Sequence, residues 1–434
     1  MSEPTARVSP AAAPGPEAGP AAAASAGSVP ATSSGRLAAQ RPLLPPVTDG
    51  AALLEPLLQA LHEHGLVRAV LGTSCDGTEV LGFANPQRHE PPRVLYRDEG
   101  DGAVGRALLA RMQRLAGMVA GRPPHPLSGS FTLELGGRPR EYELVVVPAV
   151  RGEQAALLVR DTTPGLDRPL AQLGFLPGDL ARVRAMLAAA SGFIALVGDP
   201  GNGKSTLCRA IIAEQARAGR RVVAVERGVE TPRRDAVVIR PPHGDAVPHE
   251  AWVDAALQLV PEVAVFDDLP GRAACARAVR GALDGVLVVY ALELADAVGA
   301  ARYLDELPLR PGFVAAALQG VIGVRLVREA CALCKKPVPL PLELTATVAT
   351  VLGETETEPK WCEGEGCPTC HHTGTTRLRT LFEVAVLEDE ARRRLIENPS
   401  AYDLASLLAT TRADSIRAQA LRLAAEGVIP VSEL

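Results

Sequence analysis

The chain has 434 residues, which is enough for two or three domains with hydrophobic cores of their own. Aromatic residues make up only 3% of it, so Ala, Leu and Val must supply most of the core. A formal net charge of -5 gives no electrostatic reason to expect nucleic acid as a partner. A membrane-spanning helix is also excluded, because no run of about 18 apolar residues occurs. The most apolar candidate, 281–300, is interrupted by Asp284, Glu293 and Asp296. Any membrane contact is therefore expected to be peripheral and made through partners.

Residues 1–46 are mostly Ala, Pro, Gly and Ser. They lack the basic start and the continuous apolar stretch of a secretory signal, so we predict a disordered tail over 1–47 in a cytoplasmic protein. A spacer without a specific function is the simplest interpretation of this tail.

Residues 48–161 are predicted to form a small α+β domain. Its first helix is amphipathic, with leucines at helical spacing: Leu53, Leu54, Leu57, Leu58 and Leu61. A second helix is expected from Val104 to about Ala120. Strands are indicated at Val67–Leu71, Arg93–Tyr96 and Ala155–Val159, and a hairpin around Gly136-Gly137 joins Phe131–Leu135 to Tyr142–Val147.

Residues 162–330 contain the most informative motif. Phe193–Val197 is typical of a buried strand, and Lys204 to Ala218 is typical of a helix that stops at Gly219. The segment between them fits the phosphate-loop pattern G-x-x-x-x-G-K-[ST]. Such a turn points backbone N–H groups and a helix dipole at one place, which suits a polyphosphate. The predicted ATP-binding residues are Gly198, Asp199, Pro200, Gly201, Asn202, Gly203, Lys204, Ser205 and Thr206.

Two of these residues have defined roles in the pattern: Lys204 can reach the β/γ-phosphates and Ser205 can offer its hydroxyl to Mg²⁺. A merely structural glycine-rich turn is the alternative.

Apolar strands alternate with helical stretches from Pro169 to about Arg328, which predicts an α/β fold with a parallel sheet and helices on both faces, a P-loop NTPase core. Its strands would include Phe193–Val197, Val222–Val225, Val263–Phe266 and Val286–Tyr290.

Residues 331–383 are predicted to form a zinc module. Cys331/Cys334 and Cys367/Cys370 are two C-x-x-C pairs, and in a cytosolic chain this pattern favours four-sulfur Zn²⁺ over disulfides. A closed shell of four thiolates makes the role structural. A redox pair or unligated thiols would also fit the pattern, and Cys362, His371 and His372 are close enough in sequence to replace a ligand. The remaining cysteines, Cys75, Cys208 and Cys275, are expected to be buried.

A mostly helical tail is predicted over 384–434. Leucine and isoleucine residues recur there at helical spacing, which favours core packing over a partner groove. They are Leu404, Leu407, Leu408, Ile416, Leu421 and Leu423.

From about residue 50 to its end, the chain resembles the type II secretion and type IV pilus assembly ATPases. Val324–Arg328 before the first cysteine pair resembles the family's "QRLVR" segment, and Gly366-Cys367-x-x-Cys370 with Thr373-Gly374 resembles its second cysteine segment. Leu173-Gly174-Phe175 resembles the lead-in to the phosphate loop. The smaller N-terminal domain is matched by Leu115–Met118 and Val150–Glu153.

This resemblance implies an ATP- and Mg²⁺-dependent ring, usually of six subunits, on the cytoplasmic face of the inner membrane. The ring would be a homo- or hetero-hexamer. It implies as a partner an inner-membrane platform protein that extrudes pilin-like subunits. The family's extra amino-terminal docking domain has no visible counterpart.

The chain departs from the family pattern where the hydrolysis chemistry is expected. The glutamate of the second acidic box becomes Asp268, although Asp267 beside it can compensate, and its arginine becomes Pro270. The first acidic box keeps Glu226, which together with Asp268 is the predicted catalytic pair. Positions of further family arginines carry Asp254, Gln258, Ser130 and Glu143, and Glu293 takes the place of a histidine.

Two hypotheses of function are consistent with the resemblance and with these departures from it. The first is a Mg-ATP hydrolase that powers secretion or pilus extension at a weak rate. The second is a nucleotide-binding relative that acts as a structural or regulatory subunit, because an arginine finger contributes about 10³ to 10⁵ in rate. Other arginines can in principle replace the missing ones: Arg233, Arg234, Arg240 and Arg272.

Overall fold

The computed structural model describes residues 41–83, 92–119, 126–149, 152–160, 168–226, 236–241, 247–267, 269–352, 359–370, 373–397, 403–411 and 414–434. Most of the predicted tail, residues 1–40, lies outside this part of the chain. None of the described helices is long and apolar enough to cross a bilayer.

The N-terminal unit is a six-stranded antiparallel sheet with two helices packed on one face. The two predicted helices and five predicted strands are found, and the strand Gly77–Phe83 was not predicted. The helices are α1 (Leu54–Glu63) and α2 (Ala103–Leu115), and the strands are β1 (Arg68–Ser74), β2 (Gly77–Phe83), β3 (Arg93–Asp98), β4 (Leu127–Leu135), β5 (Arg138–Ala149) and β6 (Gly152–Arg160). They lie in the order β3-β2-β1-β6-β5-β4. The predicted hairpin turn is confirmed: Leu135 pairs with Arg138 across Gly136-Gly137, and both glycines have positive φ.

Helix α2 ends five residues before its predicted end. Gly117 adopts a φ of +69°, a left-handed conformation in which the N–H of Gly117 bonds to the carbonyl of Arg114 at 3.1 Å. This glycine therefore ends the helix with a C-cap of the usual left-handed kind.

The second unit is built on a seven-stranded sheet in the order β15-β12-β7-β11-β10-β8-β9. Its strands are β7 (Gly192–Val197), β8 (Val222–Val225), β9 (Val237–Ile239), β10 (Val263–Phe266), β11 (Leu287–Leu292), β12 (Leu318–Ala330) and β15 (Thr375–Val386). All neighbours are parallel except β12 and β15.

Helices cover both faces of this sheet, which confirms the predicted α/β class. They are α3 (Pro177–Leu187), α4 (Lys204–Arg217), α5 (His249–Gln258), α6 (Arg272–Leu283), α7 (Ala297–Asp305) and α8 (Pro311–Ala317). Two apolar clusters fill the two interfaces, one with side chains of α3 and α4 and the other with side chains of α5 to α8. The four central strands are buried along their whole length, as expected of a sheet covered twice.

The tail is mostly helical, as predicted, but its helices begin later than Val384. That residue lies in β15, which pairs antiparallel with β12, and the next helix begins at Asp389. Residues 381–385 are all buried, because β12 offers a 13-residue edge on which this apolar run can pair and pack. Strands β13 (Lys335–Pro337) and β14 (Cys362–Gly364) form a separate two-stranded antiparallel sheet. The remaining α-helices are α9 (Leu342–Leu352), α10 (Asp389–Glu397), α11 (Leu404–Thr411) and α12 (Ile416–Ala425).

The apolar side chains of the tail pack into cores, as predicted. Leu404 and Leu408 belong to the cluster on one face of the large sheet, and Ile416 packs with Val327 and Leu381 of β12 and β15. The tail therefore completes the sheet unit.

Candidate functional site

The loop Gly198–Gly203 connects the carboxyl end of buried β7 to the first residue of α4. Gly201 and Gly203 have φ angles of +81° and +94°, where side chains with a Cβ are strained. A Cβ on Gly198 would lie 2.5 Å from the carbonyl oxygen of Val324 in β12, so only glycine fits there. The glycines of the motif are thus explained by the backbone path of the loop.

Lys204 is 8% exposed, and its side chain reaches back to the first two residues of this loop. Its Nζ donates to the carbonyl of Gly198 at 2.6 Å and to that of Asp199 at 3.1 Å. Within the described residues it makes no ion pair with a carboxylate. A buried ammonium held only by neutral carbonyls favours the approach of an anion, because a buried charge is costly until it is paired.

The predicted ATP-binding residues do not all face the same way. Ser205 and Thr206 are half-buried in the first turn of α4, where free N–H groups point toward the loop. Asn202 instead accepts a hydrogen bond at Oδ1 from the N–H of Leu326 at 3.3 Å, which fastens the loop to β12. No sequence pattern signals this contact, since the two residues are 124 positions apart.

Two carboxylates lie at the carboxyl ends of the neighbouring strands β8 and β10. Glu226 is 2% exposed and Asp267 is 5% exposed, and the N–H of Asp267 donates to the carbonyl of Val225 at 2.9 Å. Burial raises the pKa of the Cys208 thiol well above its usual value, and the charges of Asp267 and Glu226 raise this pKa further. Arg209 and Lys204 lower the same pKa, so charges of both signs act on the Cys208 thiol in the helix that follows the phosphate loop. The second predicted catalytic residue, Asp268, lies outside the described residues.

The four predicted zinc ligands are brought together. The sulfurs of Cys331, Cys334, Cys367 and Cys370 all lie within 4.8 Å of one another. Three of their separations are 3.7, 3.8 and 3.9 Å. Four sulfurs placed about 2.3 Å from one ion at tetrahedral angles would be about 3.8 Å apart. The arrangement therefore fits a closed four-sulfur metal site.

The backbone of the module also favours a thiolate. The N–H groups of Cys367 and Gly374 donate to the sulfur of Cys370 at 3.1 and 3.3 Å, and they lower the pKa of Cys370 to about 6. Cys362, which the sequence allowed as a replacement ligand, points elsewhere, since its sulfur donates to the carbonyls of Gly427 and Ile429. The two histidines that could also replace a cysteine ligand, His371 and His372, lie outside the described residues.

The expectation of burial for the remaining cysteines is confirmed for Cys208 and Cys275 and is wrong for Cys75, which is exposed. Cys75 lies between β1 and β2, in a turn that the sequence pattern did not predict. A turn between two strands projects beyond the end of the sheet, so no helix packs over it to bury a small side chain.

Comparison with known proteins places this fold in a family. The model of the family described as Type II/IV secretion system protein matches residues 99–434. The chain belongs to this family. Among relatives, it is 26% identical over 332 residues to the type II secretion system protein HxcR of Pseudomonas aeruginosa, and the match covers 76% of this chain and 66% of HxcR. It is 25% identical over 334 residues to the type IV pilus assembly ATPase PilB of Thermus thermophilus, covering 76% of this chain and 37% of PilB.

Solved structures show the same fold. The ATPase DotB of Legionella pneumophila superposes with a TM-score of 0.62 at 14% identity, over 90% of this chain and 96% of DotB. The pilus retraction motor PilT with bound ADP superposes with a TM-score of 0.57 at 16% identity, over 88% of this chain and 95% of PilT. The resemblance inferred from the motifs is therefore confirmed at the level of family and fold.

Two of the arginines proposed as replacements form ion pairs with acidic residues of this chain. Arg240 pairs with Glu141 of the N-terminal unit, and Arg272 pairs with Glu306 and lies over the Tyr303 ring. These are two of the four arginines that could replace the missing ones, and the remaining two, Arg233 and Arg234, lie outside the described residues.

Several of the substituted positions lie within the described residues. Asp254 accepts from Arg277 at 2.7 Å, and Ser130 lies directly opposite Glu143 on the paired strands β4 and β5.

Proposed function

We propose that this chain binds Mg-ATP at Gly198–Thr206 and acts as an ATPase-type subunit of a type II secretion or type IV pilus system, with weak hydrolysis. The observation that carries this proposal is the Lys204 ammonium, which is buried at the phosphate loop and held there by the carbonyls of Gly198 and Asp199. In this position it would neutralise the terminal phosphates of a bound nucleotide.

The other residues have distinct roles in this proposal. Free N–H groups at the start of α4 would bind phosphate oxygens, and the Ser205 hydroxyl would bind the magnesium ion, which supplies charge neutralisation when bound. Glu226 and Asp267 are buried directly after β8 and β10, where a carboxylate can orient a water or a magnesium-bound water. Asp268 is proposed to share this role with Glu226.

Weak hydrolysis is proposed because the two described arginines that could neutralise the terminal phosphate are already engaged with acids of this chain. Arg240 pairs with Glu141 and Arg272 pairs with Glu306, while Ser130 and Glu143 offer no positive charge. This observation also favours the second function, a nucleotide-binding subunit that stabilises or regulates a ring without driving it. In either case we propose a homo- or hetero-hexamer, cytoplasmic, held at the inner membrane by a platform protein.

Isothermal titration calorimetry and a phosphate-release assay on the full chain test these functions. We expect Mg-ATP to bind and Lys204→Ala to abolish binding, while Lys336→Ala, which removes an exposed lysine paired with Glu365, leaves it unchanged. A chain that shows no heat with any purine triphosphate would contradict both functions. A phosphate-release rate typical of motors would contradict only the proposed weakness.

The two roles separate in a mixing experiment with a hydrolysing member of the family. A motor subunit retains its own Lys204-dependent turnover in the mixture. A regulatory subunit changes the hydrolysis rate of the added family member. This change is observed even when the present chain has no turnover.

A further inference from the structure

An ion pair connects the N-terminal unit to the strand that supports the nucleotide site. Glu141 of β5 contacts the guanidinium of Arg240, the residue that follows β9. Glu141 is 1% exposed and the Arg240 side chain is 29% exposed. A carboxylate this deeply buried depends strongly on its cationic partner, unlike a surface ion pair.

The burial of Glu141 does not come from the core of its own unit. Its neighbours at alternate positions, Tyr142, Leu144 and Val146, point into that core, so Glu141 lies on the opposite face of the sheet. Glu143 and Val145 on this same face are only half-buried. The sheet face is therefore covered at Glu141, where the second unit contributes Arg240.

Arg240 is linked directly to the site. The carbonyl of its neighbour Ile239 accepts a hydrogen bond from the N–H of Glu226 at 3.1 Å, and β9 is the edge strand, paired only with β8 among the described strands. A force on Arg240 therefore acts on the strand end that positions Glu226.

We propose that Glu141 and Arg240 form a clamp that closes the N-terminal unit against the nucleotide site and holds Glu226 in place. The clamp lies beside the covalent connection, because Glu141 is paired in register with Arg160, the last residue of β6. A single covalent connection leaves the two units free to rotate, and a second contact beside it removes much of that freedom.

The clamp is tested on the full chain without nucleotide, so the result does not depend on whether ATP binds. Small-angle scattering measures the separation of the two units, and hydrogen–deuterium exchange measures the protection of residues 237–241 and of Glu226. We expect Arg240→Gln and Glu141→Gln each to enlarge the radius of gyration and to raise exchange at these amides on the order of 100-fold. Arg277→Gln, which breaks an exposed pair with Asp254, should change neither quantity.

The reversed pair distinguishes a clamp from simple packing. Combining Glu141→Arg with Arg240→Glu should restore the radius of gyration and the amide protection of the unmodified chain. An ion pair can re-form when its two charges are swapped between the positions, whereas simple packing of the original side chains cannot. Mg-ATP should leave the scattering of the unmodified chain unchanged. Single variants that stay compact and protected, a reversed pair that recovers nothing, or an unmodified chain that closes only when Mg-ATP is added would each overturn the clamp.

Discussion

Replacing Cys367 by Ser tests the metal site against a matched control in the same module. Removal of one of four thiolates opens the shell, since a serine hydroxyl is a poor ligand for Zn²⁺. We expect about one zinc per chain in the unmodified protein and almost none in Cys367→Ser. In Cys362→Ser the zinc content should be unchanged, because the Cys362 sulfur contacts the carbonyls of Gly427 and Ile429 and not the cluster.

The size of the structural effect follows from the length of the loop that the metal closes. Cys331 and Cys367 are 36 positions apart, and the chain-entropy expression for a cross-link of that length gives about 4 kcal/mol. This value is a lower bound for the stabilisation of the module by bound zinc, because the free energy of metal–thiolate binding in zinc modules is on the order of 10 kcal/mol. A loss of about 4 kcal/mol corresponds to a rise in local amide exchange of about 10³-fold.

The exchange should rise where the module joins the sheet. The N–H of Cys331 bonds to the carbonyl of Gly374 at 2.9 Å, and Ala330 pairs with Thr375 at the start of β15. We therefore expect loss of protection over 374–380 in Cys367→Ser, measured by hydrogen–deuterium exchange together with metal analysis. Full zinc content in Cys367→Ser, or equal loss in Cys362→Ser, would refute the assignment of ligands.

Three further predictions concern stability and reactivity. Val260 has a φ of +53° and is 68% exposed. Val260→Asn should therefore relieve backbone strain and stabilise the chain by about 1 kcal/mol in thermal unfolding. As a control, Leu259→Asn at the exposed neighbouring position should give no increase in stability. Tyr290→Phe should destabilise it by about 1–2 kcal/mol, because the buried hydroxyl donates to the carbonyl of Leu269 at 2.6 Å, and an unchanged denaturant midpoint would contradict this. At about pH 8 iodoacetamide should alkylate exposed Cys75 at least about 100-fold faster than Cys208, whose raised pKa and burial keep it a neutral, shielded thiol; equal rates in peptide mapping would show that Cys208 is accessible.

Local sequence patterns were sufficient where neighbouring residues decide the structure. The strand–loop–helix around Lys204 was predicted correctly because glycine conformation, buried β-branched residues and helix caps are properties of adjacent residues. The cysteine cluster was predictable for a similar reason, since a C-x-x-C pair presents two sulfurs to one ion whatever the rest of the chain does.

The family and its fold class were also available from these motifs, whereas several contacts were not. Adjacent residues alone specify that β7 ends in a glycine-rich loop with the phosphate-loop pattern and that the cysteines come in pairs suited to one metal ion. Long-range packing established that β15 covers the edge of β12, that Asn202 fastens the loop to Leu326, and that Glu141 receives Arg240. Each of these contacts joins residues tens to more than a hundred positions apart, and partners at such separations are set by how sheets and domains pack, which no local pattern encodes.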